Sequence, residues 1–272
     1  MKPFKVLTFN ILGNWDQREG ALWHEREGAV ARTISEADAD LVGLQEAMFD
    51  QRSALDAGLP SLARIPLKEH ARPIVPHTDD PLNTILYRPS RFDLESCGTF
   101  WLGLDPARPT LDWEAAFPRC ATWARLVDRA DGKPLLFVST HFDHDSETAR
   151  LKSAALILKF LTDARGGEPE ATPVVIVGDF NADASLDVHR QLIDGPPPLL
   201  DAWEETNGGP SAPYADGTFH DFTGVALTAV GRIDWILFSA PLSPLATDVI
   251  ASNDGKRYPS DHFPVLSRFV RR

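Results

Sequence analysis

The chain has 272 residues, 43% hydrophobic and 24% charged, a globular composition long enough to bury a sizeable core and read as one domain over 1–272. With 27 basic against 39 acidic residues its formal charge is −12, which weighs against non-specific binding to long nucleic acid, although a local basic groove or bound divalent cations could offset the repulsion. No apolar run reaches membrane-spanning length, and Met1-Lys2-Pro3-Phe4 leads straight into a strand-like run without room for an export signal, so the expectation is no membrane span, a cytoplasmic location and reduced thiols at Cys97 and Cys120.

In chain order, "KVLTFN" and "DLVGLQE" are strand-like runs ending at Asn10 and Glu46. Between them, Glu25 to Ala37 sets Val30, Ile34 and Ala37 on one helical face. An irregular segment from Pro66 to Leu82 precedes three strand-like runs, "NTILYR", "FDLESCGTFWL" and "CATWARLVDR", with a second irregular segment from Gly103 to Pro118 between the last two. "PLLFVSTHFD" ends in His141 and Asp143, and Ser146 to Ala164 then places Leu151, Ala155, Leu158 and Thr162 at helical spacing. "VVIVGDFN" is a β-branched run that breaks at Gly178 into acid and amide. Beyond a third irregular segment, Gly195 to Gly231, "RIDWILF" carries Asp234 in its interior and "SDHFPVLSRFV" opens with Asp261 and His262. Strands this numerous, apolar on both faces and interspersed with helices, predict two packed sheets flanked by helices. Their polar ends fall where α/β sheets hold ligands.

A desolvated carboxylate is costly unless it is paired, hydrogen-bonded or on a metal. Alternation sets Glu46 with Leu44 and Val42, facing an apolar layer, and one such glutamate with a nearby aspartate suffices for Mg²⁺. Asn10 alternates with Thr8 and Val6; its amide can hold a metal, a water or a phosphate oxygen, or cap a turn. Past Gly178, Asp179 can take a proton from water and Asn181 can hold an oxyanion, the rival reading being an Asx turn. Asp183 reads as a turn or helix-cap acid. Asp234, flanked by Ile233 and Trp235, is paired with His262, whose tautomer a buried aspartate would fix. In "THFDHD", His141 and Asp143 alternate onto one side, which favours His141 as a charged donor to substrate oxygen; no zinc arrangement is evident. Arg119 suits a phosphate contact, whereas Arg125 reads as a solvated or salt-bridged face. His144 and His220 stand between substrate contact and packing, and Trp113, Trp203 or Phe222 could stack a base.

Taken together, "TFNI", "LQE", "THFDH", "GDFN", "RIDWILF" and "SDHFPV", in this order, resemble the endonuclease/exonuclease/phosphatase superfamily, with its deoxyribonuclease I-like nucleases, exonuclease III-like repair enzymes, inositol-phosphate 5-phosphatases, sphingomyelinases and deadenylases. The stretch "GTFWLGLDPARPTLDWEAAFPRCATWARL" looks most like a bacterial branch nearest the deadenylase-like members. The resemblance implies a four-layer α/β sandwich with its site at one edge of two mixed sheets, and Mg²⁺-dependent attack of water on a phosphoester, with Mn²⁺ as a substitute. By motif, Glu46 matches the metal glutamate, Asn10 the amide near metal and phosphate, and Asp261 the acid beside the metal. Asp179 corresponds to the residue that orients or deprotonates water, with Asn181 beside it. His262 matches the phosphate-binding histidine, Asp234 its partner, and His141 a second histidine. Asp143 and His144 follow the subgroup pattern; with Arg119 and His220, which are singled out by their own chemistry, they are the candidate substrate contacts. The expected partner is a phosphorylated small molecule or short nucleic acid, with no obligatory protein partner. A metal-dependent nuclease, such as a deadenylase-like 3'-5' exonuclease, is the alternative to a compact phosphoester hydrolase.

Overall fold

The computed structural model describes residues 2–67, 82–165, 172–210, 212–251, 253 and 257–272. The first sheet is built from β1 Phe4–Asn10, β2 Leu41–Gln45, β3 Ala63–Arg64, β4 Thr84–Tyr87, β11 Leu242–Val249 and β12 Val265–Arg271, in the order β11-β12-β1-β2-β4-β3. The second is built from β5 Phe92–Trp101, β6 Cys120–Asp128, β7 Lys133–His141, β8 Val174–Asp179, β9 Leu200–Asp201 and β10 Asp234–Phe238, in the order β5-β6-β7-β8-β10-β9. Each sheet is antiparallel except for one central parallel pair, β1 with β2 and β7 with β8.

Side-chain alternation divides the core into layers. Val6, Phe137, Val175, Val177, Ile236, Phe238 and Phe269 meet between the sheets. Leu7 and Phe9 instead face α1 Trp23–Ala37 and α2 Phe49–Gly58, packing with Val30, Ile34 and Leu55. Val174 and Ile176 face α3 Glu147–Ala164 and α4 Asp187–Ile193, packing with Ile157, Leu161 and Leu192. The uninterrupted apolar run before Gly178 is thus that of a strand buried on both faces. The result is the expected four-layer α/β sandwich. α5 Ala202–Thr206 follows β9 directly.

Several local expectations shift. The α3 stripe is Ala154, Ile157, Leu158 and Leu161, while Ala155 and Thr162 are exposed. α2 carries Gln51 and Arg52 on its buried side, so no apolar stripe marks it. The segment 195–231 is not wholly irregular, since it contains β9 and α5. Of the segment 66–82, residues 68–81 lie outside the described residues. Cys97 and Cys120 are free thiols. Among the described residues no helix is long and apolar enough to cross a membrane.

The sheets approach closely at Gly43 of β2, where a Cβ would overlap Val177 Cγ2 and press on the Ser139 side chain. Gly43→Val is therefore expected to destabilise the fold by about 1–3 kcal/mol, read as a lower denaturant midpoint with an unchanged slope. Wild-type stability in this variant would show that the two sheets are not in contact there.

Candidate active site

Both parallel pairs run toward the same edge, so their carboxyl ends bring polar side chains together. β1 ends at Asn10, β2 at Gln45 with Glu46 next, β7 at His141 and β8 at Asp179. In the second sheet the register aligns His141 with Asp179 and Asp179 with Asp234. This alignment needs Gly178, because a Cβ there would run into the Thr140 carbonyl of the neighbouring strand. Asp234 opens β10 instead of lying inside it, and Thr218 Oγ1 fixes that opening by accepting from the Ile233 and Asp234 amides at 3.2 and 3.1 Å. Asp261 and His262 lie in the loop before β12, whose first residue is Val265.

Asp179 is the hub. Its carboxylate is 1% exposed. Oδ1 accepts from the Asn181 amide at 2.9 Å, and Oδ2 accepts from Asn10 Nδ2 at 3.0 Å. The same Oδ2 lies 3.4 Å from His141 Nε2 and 3.7 Å from His262 Nε2. Burial pushes Asp179 up to about 7, against the pull of His262, with Asp234 adding to the rise. His262 Nδ1 meets Asp234 Oδ2 at 2.9 Å. Burial alone would lower the imidazole, but Asp234 and Asp179 outweigh it and hold His262 well above the ordinary histidine range. The two carboxylates thus bias His262 toward the imidazolium.

Glu46 occupies the other side. The predicted alternation with Val42 and Leu44 fails because Glu46 lies beyond β2 with φ 60°, a left-handed turn that releases it from the strand's pleat. Its Oε1 accepts from Asn10 Nδ2 at 3.0 Å and its Oε2 from the Gly13 amide at 2.9 Å. Burial, then the charge of Asp261, pushes Glu46 upward. Asp261 Oδ1 accepts from Ser260 Oγ, at 3.0 Å. The nearby Arg26 guanidinium is spent on the carbonyls of Ala21, Ile11, Leu12 and Pro259, tying the loop after β1 to the loop carrying Asp261. Glu46, pushed up by burial and by the like charge of Asp261, forms with it a pair of hard-oxygen donors suited to a divalent cation.

Among the described residues, two other acid–histidine groupings are close enough for a metal, but each already contains a cationic side chain. In the first, Asp179 and Asp234 flank His262, which they bias toward its charged form. In the His189, Asp201 and Glu204 grouping, Arg232 Nη2 donates to Asp201 Oδ2 at 2.9 Å.

The surroundings of five expected site residues bear on the roles expected of them. Asn10 turns its amide nitrogen into the site, where it bridges Glu46 and Asp179, while Oδ1 accepts from the Leu12 amide at 3.0 Å and keeps one lone pair for a further ligand. Asn181 Nδ2 lies 2.9 Å from His141 Nε2 and donates to the Phe142 carbonyl at 3.0 Å, so it orients His141 and has no hydrogen left for an oxyanion. Burial and then Arg119 hold His141 well below the ordinary histidine range, which opposes the charged donor expected of it. Asp143 is committed to the backbone: Oδ2 accepts from the Ala116 and Phe117 amides, and Oδ1 from the Asp145 and Ser146 amides. His220 is likewise a packing residue, fully buried and stacked on Phe263 at 3.9 Å, with Nδ1 accepting from the Gly224 amide. Asp183 closes a turn, accepting from Ser185 and from the Arg232 amide, and Arg125 pairs with Glu95 at the surface.

A cleft of about 450 Å³ opens over Glu46, His141, Asp179, Asn181, Asp261 and His262, with Arg119 and His144 on its wall. Its aromatic lining is Trp15, Phe117 and Phe219 rather than Trp113, Trp203 or Phe222. None of these three lies on a periodic run, and only the fold brings them to one mouth. For Asp234→Asn, the loss of the carboxylate beside Nδ1 is expected to lower the His262 pKa from its raised value, read by imidazole ¹⁵N shifts against pH. An unmoved titration would show that Asp234 does not hold the charge.

The Endonuclease/Exonuclease/phosphatase family matches this chain over residues 7–262. An endonuclease/exonuclease/phosphatase family protein from Bacteroides thetaiotaomicron is 27% identical, with a TM-score of 0.85 over 100% of this chain and 96% of that one. A mannosyl-6-phosphatase from the same organism is 27% identical, with a TM-score of 0.82 over 98% of this chain and 99% of that one. The human Nocturnin catalytic domain with bound sulfate shares the fold at 20% identity and a TM-score of 0.74, over 99% of this chain and 95% of that one. No curated protein sequence matches. With the family match running from the first strand to the histidine before the last, and the two-sheet sandwich in agreement, the chain belongs to the endonuclease/exonuclease/phosphatase family, whose members hydrolyse phosphoester bonds.

Proposed function

We propose that the protein hydrolyses a compact phosphoester by in-line attack of water, with Mg²⁺ as its cofactor and Mn²⁺ as a working substitute. The observation that carries this reading is the meeting, in one cleft, of the buried Asp179, His262 with its Nε2 3.7 Å away, and the carboxylates of Glu46 and Asp261. Glu46 and Asp261 would hold the ion, which when bound neutralises charge on a phosphoester oxygen.

The chain's own groups divide the remaining work. His262, kept charged by Asp234, donates to a non-bridging oxygen as negative charge grows there. Asp179 aims the attacking water and takes its proton; Asn10 holds that carboxylate against Glu46. The water oxygen bonds to phosphorus, the ester P–O bond breaks, and the departing oxygen is protonated from solvent in the open cleft. His141, held by Asn181, packs a neutral imidazole against the same oxygen of Asp179.

The formal charge of −12 and a cleft of about 450 Å³ favour a small substrate over a long polyanion. The likeness to a mannosyl-6-phosphatase supports a sugar phosphate as one member of the substrate panel. The aromatic mouth of Trp15, Phe117 and Phe219 is the feature that favours the nuclease alternative, since such rings could stack a terminal base.

Turnover is expected on a panel of sugar phosphates, lipid phosphates, nitrophenyl phosphoesters and short oligoadenylate with Mg²⁺ or Mn²⁺, abolished by EDTA. Asp179→Asn is expected to lower kcat by about a hundred-fold or more while the far-ultraviolet dichroism stays wild-type. Glu46→Gln is expected to raise the Mg²⁺ concentration needed for half-maximal rate. Release of mononucleotides from oligoadenylate faster than any small phosphoester is cleaved would favour the nuclease, and no metal-dependent turnover on the whole panel would defeat the hydrolase reading.

A further inference from the structure

Among the described residues, few permanent cations line the site. A second cleft of about 410 Å³ adjoins the first, sharing His144, Asn181, Phe219 and His262 with it. Among the described residues lining either cleft, Arg119 is the sole lysine or arginine. Its side chain is 13% exposed. Nη2 lies 3.1 Å from His144 Nδ1, while Nε is 3.8 Å from Asp143 Oδ2, beyond hydrogen-bond reach. The guanidinium lies over the Phe117 ring at 5.8 Å, and that ring stacks with His144. Arg119 is thus held in place by flat contacts and one bond to a half-exposed imidazole, with part of its donor fork uncommitted. Asp143 keeps the surrounding loop in position through the Ala116 and Phe117 amides without closing that fork.

We infer that Arg119 makes the cleft a phosphomonoester site, its guanidinium taking the third terminal oxygen that a monoester has and a diester lacks. A diester offers two unesterified oxygens and one charge, whereas a monoester offers three and carries about −1.5 to −2 at neutral pH. His262 would take one oxygen and a cation held by Glu46 and Asp261 a second. A third requires a donor that stays charged on the remaining wall, and a planar guanidinium fork meets that requirement. The same scarcity disfavours polyphosphates and nucleic-acid strands, whose successive phosphates each call for a cation. This inference rests on the hydrolase reading and narrows it.

The test pairs p-nitrophenyl phosphate with bis(p-nitrophenyl) phosphate in the presence of Mg²⁺, using wild type, Arg119→Met and Arg119→Lys. Arg119→Met is expected to lower kcat/KM about a hundred-fold on the monoester and less than about five-fold on the diester, with Arg119→Lys recovering part of the loss. Binding gives a readout that does not depend on turnover: orthophosphate is expected to raise the wild-type melting temperature, dimethyl phosphate to leave it unchanged, and Arg119→Met to remove the orthophosphate effect. Equal losses on both esters, equal stabilisation by both anions, or no stabilisation by orthophosphate overturns the monoester assignment and leaves hydrolysis standing. No turnover of either ester by wild type overturns the hydrolase reading and this inference with it.

Discussion

The site depends on a buried acid–histidine pair, Asp179 and His262, anchored by Asp234 behind the histidine. Neither charge would persist alone at this depth. Removing one partner of a buried ion pair costs roughly 3–5 kcal/mol because the other is left without compensation. The three residues come from β8, β10 and the loop before β12, so the pair also ties the second sheet to the carboxyl-terminal strand of the first. Asn10 extends the tie to β1 and to Glu46. Electrostatics that would otherwise oppose folding are thereby converted into a polarised cleft edge, positive at His262 and negative at Glu46 and Asp261.

Geometry at that edge is set by backbone as much as by side chains. Gly178 lets β7 and β8 run close enough for His141 to register with Asp179, and Gly43 lets the two sheets meet. Glu46 and Asn181, each the first or second residue past a strand, take positive φ values of 60° and 48°. Such conformations are sparsely populated for residues other than glycine, and asparagine tolerates them better than glutamate. Both turn a side chain away from the direction that strand alternation would impose. Arg26 then fixes the loops on either side of Glu46 through their carbonyls.

Much of the layered fold and the membership of the site was legible in the sequence, because each apolar run that ends in a polar residue marks a strand end, and strand ends converge in parallel pairs. The pairing of Asp234 with His262 could be read from a carboxylate flanked by apolar neighbours. Orientation was not legible. Strand alternation misdirected Glu46, since nothing in "LQE" announces a left-handed residue. Asp143 and His220 carry the same chemical groups as functional residues, and only their saturated or stacked surroundings reveal packing. Trp15, Phe117 and Phe219 sit in loops whose convergence no local pattern encodes, and α2 was hidden by the polar residues on its buried face.

The central claim is that Glu46 and Asp261 hold a divalent cation beside a phosphate group facing His262 and Asp179. Anomalous scattering from crystals grown with Mn²⁺ and orthophosphate tests it most directly. The account predicts a manganese peak coordinated by Glu46 and Asp261, with phosphate oxygens within hydrogen-bond reach of His262 Nε2. Manganese confined to the His189–Asp201–Glu204 cluster, or phosphate bound away from His262, would contradict it.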